Sequence, residues 1–170
     1  KMLYFCRNYL NIDFRIQQQH KIAEKMLRIA VQSKGRLYED TMNLLKETGI
    51  KINSSRRTLL VQSSNFPLEV LYLRDDDIPE CVAHGVADIG IVGENEFVER
   101  EEDADIVRRL GFSKCRISLA IPEAVDYNGI EWFDGKKIAT SYPNILRQFA
   151  EKNNIKIDIE RGLVLNKTDK

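Results

Sequence analysis

A chain of 170 residues with 43% hydrophobic and 31% charged content is sized for one domain or two small lobes. Its composition is that of a globular protein rather than a disordered or fibrous one. The 26 Lys and Arg balance 26 Asp and Glu, so no bulk charge draws the chain to nucleic acid or to an anionic membrane, and a polyanionic ligand would need a local cluster of cations.

Cys6, Cys81 and Cys115 are widely spaced and form no CxxC pair. That pattern points to reduced thiols in a cytoplasmic protein, not to a disulfide framework or a zinc site. With two histidines, His20 and His84, His-centred catalysis has little to build on. No apolar run reaches the ~18 residues of a membrane span.

Residues 1–25 show no sustained hydrophobic period and no signal-peptide cleavage pattern, and they carry the run Gln17-Gln18-Gln19. Met26 then opens directly onto a strand. The reading is a non-native upstream segment over 1–25, the alternative being an ordinary N-terminal helix. Residues 27–32 form a strand, closed by the loop Ser33-Lys34-Gly35. Leu37, Thr41, Leu44 and Leu45 follow at helical spacing, with Gly49 as the stop. Strands over 58–62 and 68–73 flank a polar turn through Asn65 and Pro67. Asp77 can cap a helix that carries Pro79 in its first turn and ends at Gly85. Residues 87–92 are apolar and bounded by glycine, as a doubly covered parallel strand should be. This β-α-β-β-α-β alternation predicts an α/β lobe over 26–95.

After the charged stretch 94–105 the pattern restarts, with a joint near residues 96–106 and a second α/β lobe over 96–157. Its elements are strands at 106–110, 115–121 and 136–141, a helix over 144–152 and a strand over 155–159. Residues 158–170 read as a divergent tail.

Three strand ends in the first lobe carry polar groups, and ligands of open α/β sheets bind beyond the carboxyl ends of strands. Lys34-Gly35-Arg36 joins a glycine, two cations and a helix start, which suits an anion but also suits a plain turn. Arg74-Asp75-Asp76-Asp77 complements a helix dipole without any ligand, yet three carboxylates exceed what one cap needs. Asp88-Ile89-Gly90-Ile91-Val92-Gly93-Glu94-Asn95 is a buried strand leaving through a glycine and two polar side chains. In the second lobe, Arg116 and Ser118 share a strand face, where the cation suits an anion or a salt bridge equally. Ser141 and Tyr142 stand at a strand-to-helix junction able to hold phosphate or merely to cap the helix. Cys115 fits a core position better than a nucleophile, and His84 reads as a helix-end cation.

Taken together, Val31 to Leu37, Arg74 to Pro79, Ala87 to Asn95, Cys115 to Ala120 and Ile138 to Pro143, in this order and spacing, resemble ATP phosphoribosyltransferase, the enzyme that opens histidine biosynthesis. The resemblance runs from about Leu27 to about Ile155. It implies a two-lobed type II periplasmic-binding-protein-like α/β fold, incomplete here, with the active site between the lobes. The implied reaction is Mg²⁺-dependent transfer of ribose 5-phosphate from phosphoribosyl pyrophosphate to N1 of ATP, releasing pyrophosphate. It also implies a cytoplasmic homo-oligomer whose partners are those two substrates. By resemblance, Arg74, Glu94 and Arg116 take the catalytic positions. Lys34, Gly35, Arg36, Asp75, Asp88, Asn95, Ser118, Ser141 and Tyr142 take the substrate-binding ones, and no residue is assigned as a metal ligand. A transition state with oxocarbenium character favours electrostatic stabilisation over a covalent nucleophile, so poverty in histidine is no obstacle. From about residue 157 the family pattern is lost, and with it the loop that grips the ribose 5-phosphate. The expectation is a truncated chain without turnover of its own. The reading from another class is a non-enzymatic small-ligand or nucleotide-binding α/β module.

Overall fold

The computed structural model describes residues 2–6, 26–53 and 58–161, and the chain divides into two compact units between Cys115 and Arg116. In the first unit the elements are β1 (Met2–Cys6), β2 (Leu27–Gln32), α1 (Arg36–Glu47), β3 (Leu60–Gln62), β4 (Leu68–Leu73), α2 (Ile78–Ala83), β5 (Ile89–Gly93), α3 (Glu94–Arg100) and β6 (Asp105–Arg109). A single 3-10 turn, Asp75–Asp77, leads from β4 into α2. The six strands form one sheet in the order β3-β4-β2-β5-β1-β6.

β2 organises that sheet. β4 and β5 flank it in parallel, with Gln32 opposite Leu73 and Val31 opposite Ile91. Alternate side chains of a strand leave on opposite faces, and β2 buries both sets. Ile29 and Val31 join Leu37 and Leu45 of α1, together with Val70, Tyr72 and Ile91. Ala30 joins Ile78 and Val82 of α2 and Val92 of β5. Leu37, Thr41 and Leu45 recur every four residues along the buried stripe of α1. Past its end, Asn65 locks the following loop to the β3–β4 turn, donating to the Gly49 carbonyl at 2.8 Å and accepting from the Lys51 N–H at 2.8 Å.

The amino ends of the strands carry a saturated polar network. The Arg28 N–H donates to Asp88 Oδ2 at 2.9 Å, and the Asp88 N–H returns a bond to the Arg28 carbonyl at 2.9 Å. Arg28 Nε and Nη2 both reach Glu69 Oε2, at 3.0 and 2.8 Å. Gln62 Nε2 donates to Glu69 Oε1 at 3.1 Å. The Gln62 amide and then the Arg28 guanidinium hold the Glu69 carboxyl below its ordinary value of 4.5.

In the second unit a 3-10 turn, Ile130–Phe133, precedes β7 (Lys136–Thr140), α4 (Pro143–Lys152) and β8 (Ile157–Arg161). β7 and β8 pair in parallel. Phe133, Ala150 and Ile155 form the core beneath them, with Trp132, Ile138 and Ile157 around it.

The elements fall close to where the sequence places them, with five corrections. Residues 2–6 are not apart from the fold, because β1 lies inside the sheet, antiparallel to β5 and β6. The lobe boundary moves from 95/96 to 115/116. The stretch from residue 94, read as a charged joint, begins with helix α3, which buries Glu96 and Glu99. Residues 115–121 are not a strand, since no ladder partner accompanies them among the described residues. The tail begins later than 158, because β8 continues the pairing to Arg161.

Two outcomes follow from this packing. Thr41 is fully buried and its hydroxyl has no hydrogen-bond partner among the described residues. Thr41→Val keeps the shape and removes the unmet polar group, so urea unfolding should show stability unchanged or raised by about 1 kcal/mol. A loss above about 1 kcal/mol would show that the hydroxyl is satisfied. Glu69 titrates lower folded than unfolded. Its contribution is therefore present above its ordinary value and is lost as pH falls through the folded one. Melting temperatures below about pH 4.5 should fall more steeply for the wild type than for Glu69→Gln, and parallel curves would remove that role.

Candidate functional site at the carboxyl ends of the parallel strands

Extending the register one residue beyond β2 sets Ser33, Arg74 and Gly93 level. The Ser33 N–H confirms the closeness of the first two chains by donating to the Leu73 carbonyl at 2.8 Å. Three loops therefore leave side by side, in the position where open α/β sheets receive ligands.

The first loop turns into α1 through Gly35 at φ 91°, a left-handed conformation that glycine adopts without strain. Lys34 and Arg36 are exposed on either side of it. The second begins at Arg74, extended and exposed, and continues through the three aspartates of the 3-10 turn. Asp77 holds the cap position of α2, but its side chain makes no capping bond, so the capping explanation for this acidic run is not realised. Asp76 instead pairs with Arg100 of α3 at 3.0 Å. The third loop is Gly93-Glu94-Asn95, where Glu94 pairs with Arg109 of β6 at 3.1 Å. Asn95 donates to Glu96 Oε1 at 3.0 Å, and its Oδ1 accepts the Cys115 thiol at 3.6 Å.

The charges at these strand ends are unevenly committed. Asp76 and Glu94 each face an arginine, whereas Lys34, Arg36 and Arg74, and the acids Asp75 and Asp77, make no side-chain hydrogen bond or ion pair among the described residues. Three uncommitted cations beside a glycine turn and the start of a 12-residue helix can take up the charge of an anionic group.

Asp88 does not belong to this cluster. It precedes β5 at the opposite end of the sheet, bonded to the backbone of Arg28. The signal that misplaces it is sequence proximity to Glu94, six residues away but a whole strand length apart. An open depression of about 450 Å³ lined by Met26, Asn65, Phe66 and Pro67 also lies at that amino end, away from the three loops. Sequence reasoning misses Arg100 and Arg109. Arg109 had a signal, a basic pair closing a strand, while Arg100 sits in the helix that was read as a joint.

In the second unit, Arg116 and Ser118 are exposed on an irregular segment. Ser141 and Tyr142 follow the carboxyl end of β7 and lead into α4, where the Tyr142 N–H donates to Thr140 Oγ1 at 2.9 Å. Tyr142 occupies the cap position without a side-chain capping bond. His84 closes α2, with Nδ1 2.9 Å from the Glu80 carbonyl, as its place in the sequence suggests. Among the described residues no three His, Cys, Asp or Glu side chains gather as a metal-binding group.

A family model for ATP phosphoribosyltransferase matches residues 74–162, from the Arg74 loop through β8. The chain belongs to the ATP phosphoribosyltransferase family. Over 134 residues it is 72% identical to the ATP phosphoribosyltransferase of Phocaeicola vulgatus and 69% identical to that of Bacteroides thetaiotaomicron. The same span is 56% identical to the one from Cytophaga hutchinsonii. Each of these alignments covers 79% of this chain and 47% of the relative, so the chain spans about half the length of the curated relatives it matches. A chain of an ATP phosphoribosyl transferase (HisG:HisZ) complex from Thermotoga maritima is similar in structure. Its TM-score is 0.56 at 26% identity, over 82% of this chain and 66% of that one. The match through residue 162 places any departure from the family pattern beyond the position near 157 that the sequence suggested.

Gly93 tests the third loop directly. A Cβ built there would lie 2.5 Å from Asn95 Oδ1, while its φ of −67° suits any residue. Gly93→Ala should leave the melting temperature almost unchanged but shift the Asn95 side-chain amide resonances, because that side chain must rotate away. Unmoved resonances would mean that Asn95 does not rest over Gly93.

Proposed function

We propose that this chain is the catalytic portion of an ATP phosphoribosyltransferase, the enzyme that transfers ribose 5-phosphate from phosphoribosyl pyrophosphate to N1 of ATP with release of pyrophosphate, the first step of histidine biosynthesis. The observation that carries the proposal is the set of three uncommitted cations, Lys34, Arg36 and Arg74, around the carboxyl ends of β2 and β4 in a chain of this family. Two polyanions must share one site in this reaction, and mobile water alone would not offset their repulsion. Positioned guanidinium and ammonium groups do so without reorganising as charge develops.

On this reading Arg74 holds ATP phosphate oxygens, Lys34 and Arg36 extend the cation field, and Gly35 lets the backbone approach. Asp75, Glu94 and Asn95 present acceptors and an amide to the sugar and base. Arg116, Ser118, Ser141 and Tyr142 are proposed as the second unit's contribution. Asp88 is left out, since it serves the amino-end network. The two units are inferred to be the lobes of a type II periplasmic-binding-protein-like fold. Mg²⁺ typically keeps several waters and binds through one or two carboxylates plus substrate phosphates. The described residues gather no group of three metal-binding side chains, and Mg²⁺ is proposed to arrive with the donor's pyrophosphate. No helix among the described residues is long and apolar enough to cross a membrane. A cytoplasmic setting and assembly with further copies are proposed alongside the activity.

Titration calorimetry of this chain should detect binding of ATP and of AMP, with amino acids and inorganic phosphate much weaker. Arg74→Ala should weaken ATP about tenfold, the equivalent of ~1.4 kcal/mol, as expected when a charge-assisted bond is lost. A change of less than twofold would return Arg74 to a solvated surface role. Tight amino-acid binding without nucleotide binding would favour a small-ligand module instead.

A further inference from the structure

We infer that Arg100 is a positioning residue: by pairing with Asp76 it fastens the turn that follows Arg74, and so holds Arg74 in place for a phosphate group. This rests on the nucleotide-binding reading above. Arg100 Nη2 donates to Asp76 Oδ2 at 3.0 Å. The bond ties two of the three site loops together, because Asp76 lies in the turn after β4 and Arg100 closes the helix that starts directly after β5. That helix is itself seated. Phe97 packs against the cluster of Ile78, Val82 and Val92, and Glu96 and Glu99 are buried. The turn has no comparable anchor: none of Asp75, Asp76 and Asp77 is buried, and no side chain caps it. Its closing bond, from the Asp77 N–H to the Arg74 carbonyl, is 3.3 Å long, beyond the usual range of about 2.7–3.2 Å.

Arg74 carries the carbonyl on which the turn closes, so fraying of the turn frees the Arg74 backbone as well. Among the described residues Asp76 gives the turn its side-chain tie, since Asp75 and Asp77 make no side-chain hydrogen bond or ion pair. Arg100 and Asp76 are 44% and 40% exposed, so solvent screens the pair and its contribution to global stability is small. A local tether needs less, because the core already holds the chain on the far side of the turn at Ile78. A cation in the last turn of α3 also complements the helix dipole, but that role makes no use of Asp76. Arg100 acts through Asp76 and does not itself take the ligand.

Amide order parameters and calorimetric titration with ATP, both on the intact chain, test the tie. Without ligand, the Asp75 to Asp77 amides should have order parameters of about 0.85, and Arg100→Ala should lower them toward about 0.6 while the melting temperature barely moves. Arg100→Ala should weaken ATP about threefold, and Arg100→Lys should recover part of the loss. Asp76→Ala is the decisive variant. It removes a negative charge, so a charge field alone would strengthen ATP binding, whereas a lost tie weakens it about threefold, as Arg100→Ala does. The double variant should lose no more than either single one, and in the Arg74→Ala background removing Arg100 should cost less than twofold. Tighter ATP binding by Asp76→Ala, additive losses in the double variant, or unchanged order parameters in Arg100→Ala would each overturn the inference. A threefold loss that persists in the Arg74→Ala background would make Arg100 a direct ligand and overturns it too. A wild-type chain that binds no ATP overturns the nucleotide reading and this inference with it, whereas normal wild-type binding with an indifferent Arg100→Ala overturns this inference alone.

Discussion

Parallel pairing of β4 and β5 to the two sides of β2 is the constraint on which the site depends. Parallel strands have their carboxyl ends at one end of the sheet, and the observed register makes three of those ends level to within one residue. Loops that are about forty and twenty residues apart in sequence then leave next to one another. What enforces the register is burial on both faces. A one-residue slip of β2 would send Ile29 and Val31 to the face where Ala30 now packs with Ile78 and Val82. The hydrophobic pattern of six residues thereby fixes the relative positions of Lys34, Arg74 and Glu94, none of which contributes to the core.

The two ends of the same sheet handle charge in opposite ways. At the amino end, Arg28 and Glu69 make several bonds with Asp88 and Gln62 and with each other. At the carboxyl end Asp76 and Glu94 are matched, while Asp75, Asp77, Lys34, Arg36 and Arg74 make no side-chain hydrogen bond or ion pair among the described residues. A surface evolved only for stability would gain little by leaving cations unmatched, though solvated cations cost little either. The asymmetry is informative because both ends belong to the same three strands and differ only in direction.

Strands, helix stops and loop positions were largely legible in the sequence because they rest on local signals. The strand over 68–73, the four-residue recurrence of Leu37, Thr41 and Leu45, and the stop at Gly49 all appear in the structure. What was not legible depends on pairing between distant segments. Residues 115–121 alternate like a strand, but alternation does not create a neighbour to bond with, and none accompanies them among the described residues. Residues 2–6 gave no period long enough to notice, yet the sheet takes them between β5 and β6. Helix α3 was hidden by its glutamates, which suggest a solvated joint, although Glu96 and Glu99 are buried. The loops of the candidate site were found because glycine and charge mark strand ends; Arg100 and Arg109 were not, because their roles come from the fold's third dimension.

Asp88 and Glu94 show how direction along one strand decides a carboxylate's role. Both flank β5, and both are acids beside apolar residues, so composition alone treats them alike. Asp88 lies where β2 begins, one residue before the β2–β5 pairing starts at Ile29, and there it accepts the Arg28 N–H. The acid completes the sheet. Glu94 lies where β2 has ended, in the first turn of α3, whose dipole favours an acid. An arginine from β6 then supplies the counter-charge from one side, leaving the approach from the β2 and β4 loops to their cations. A carboxylate in the first position completes the sheet's own backbone bonding; the second is held at the strand ends by an arginine from another strand.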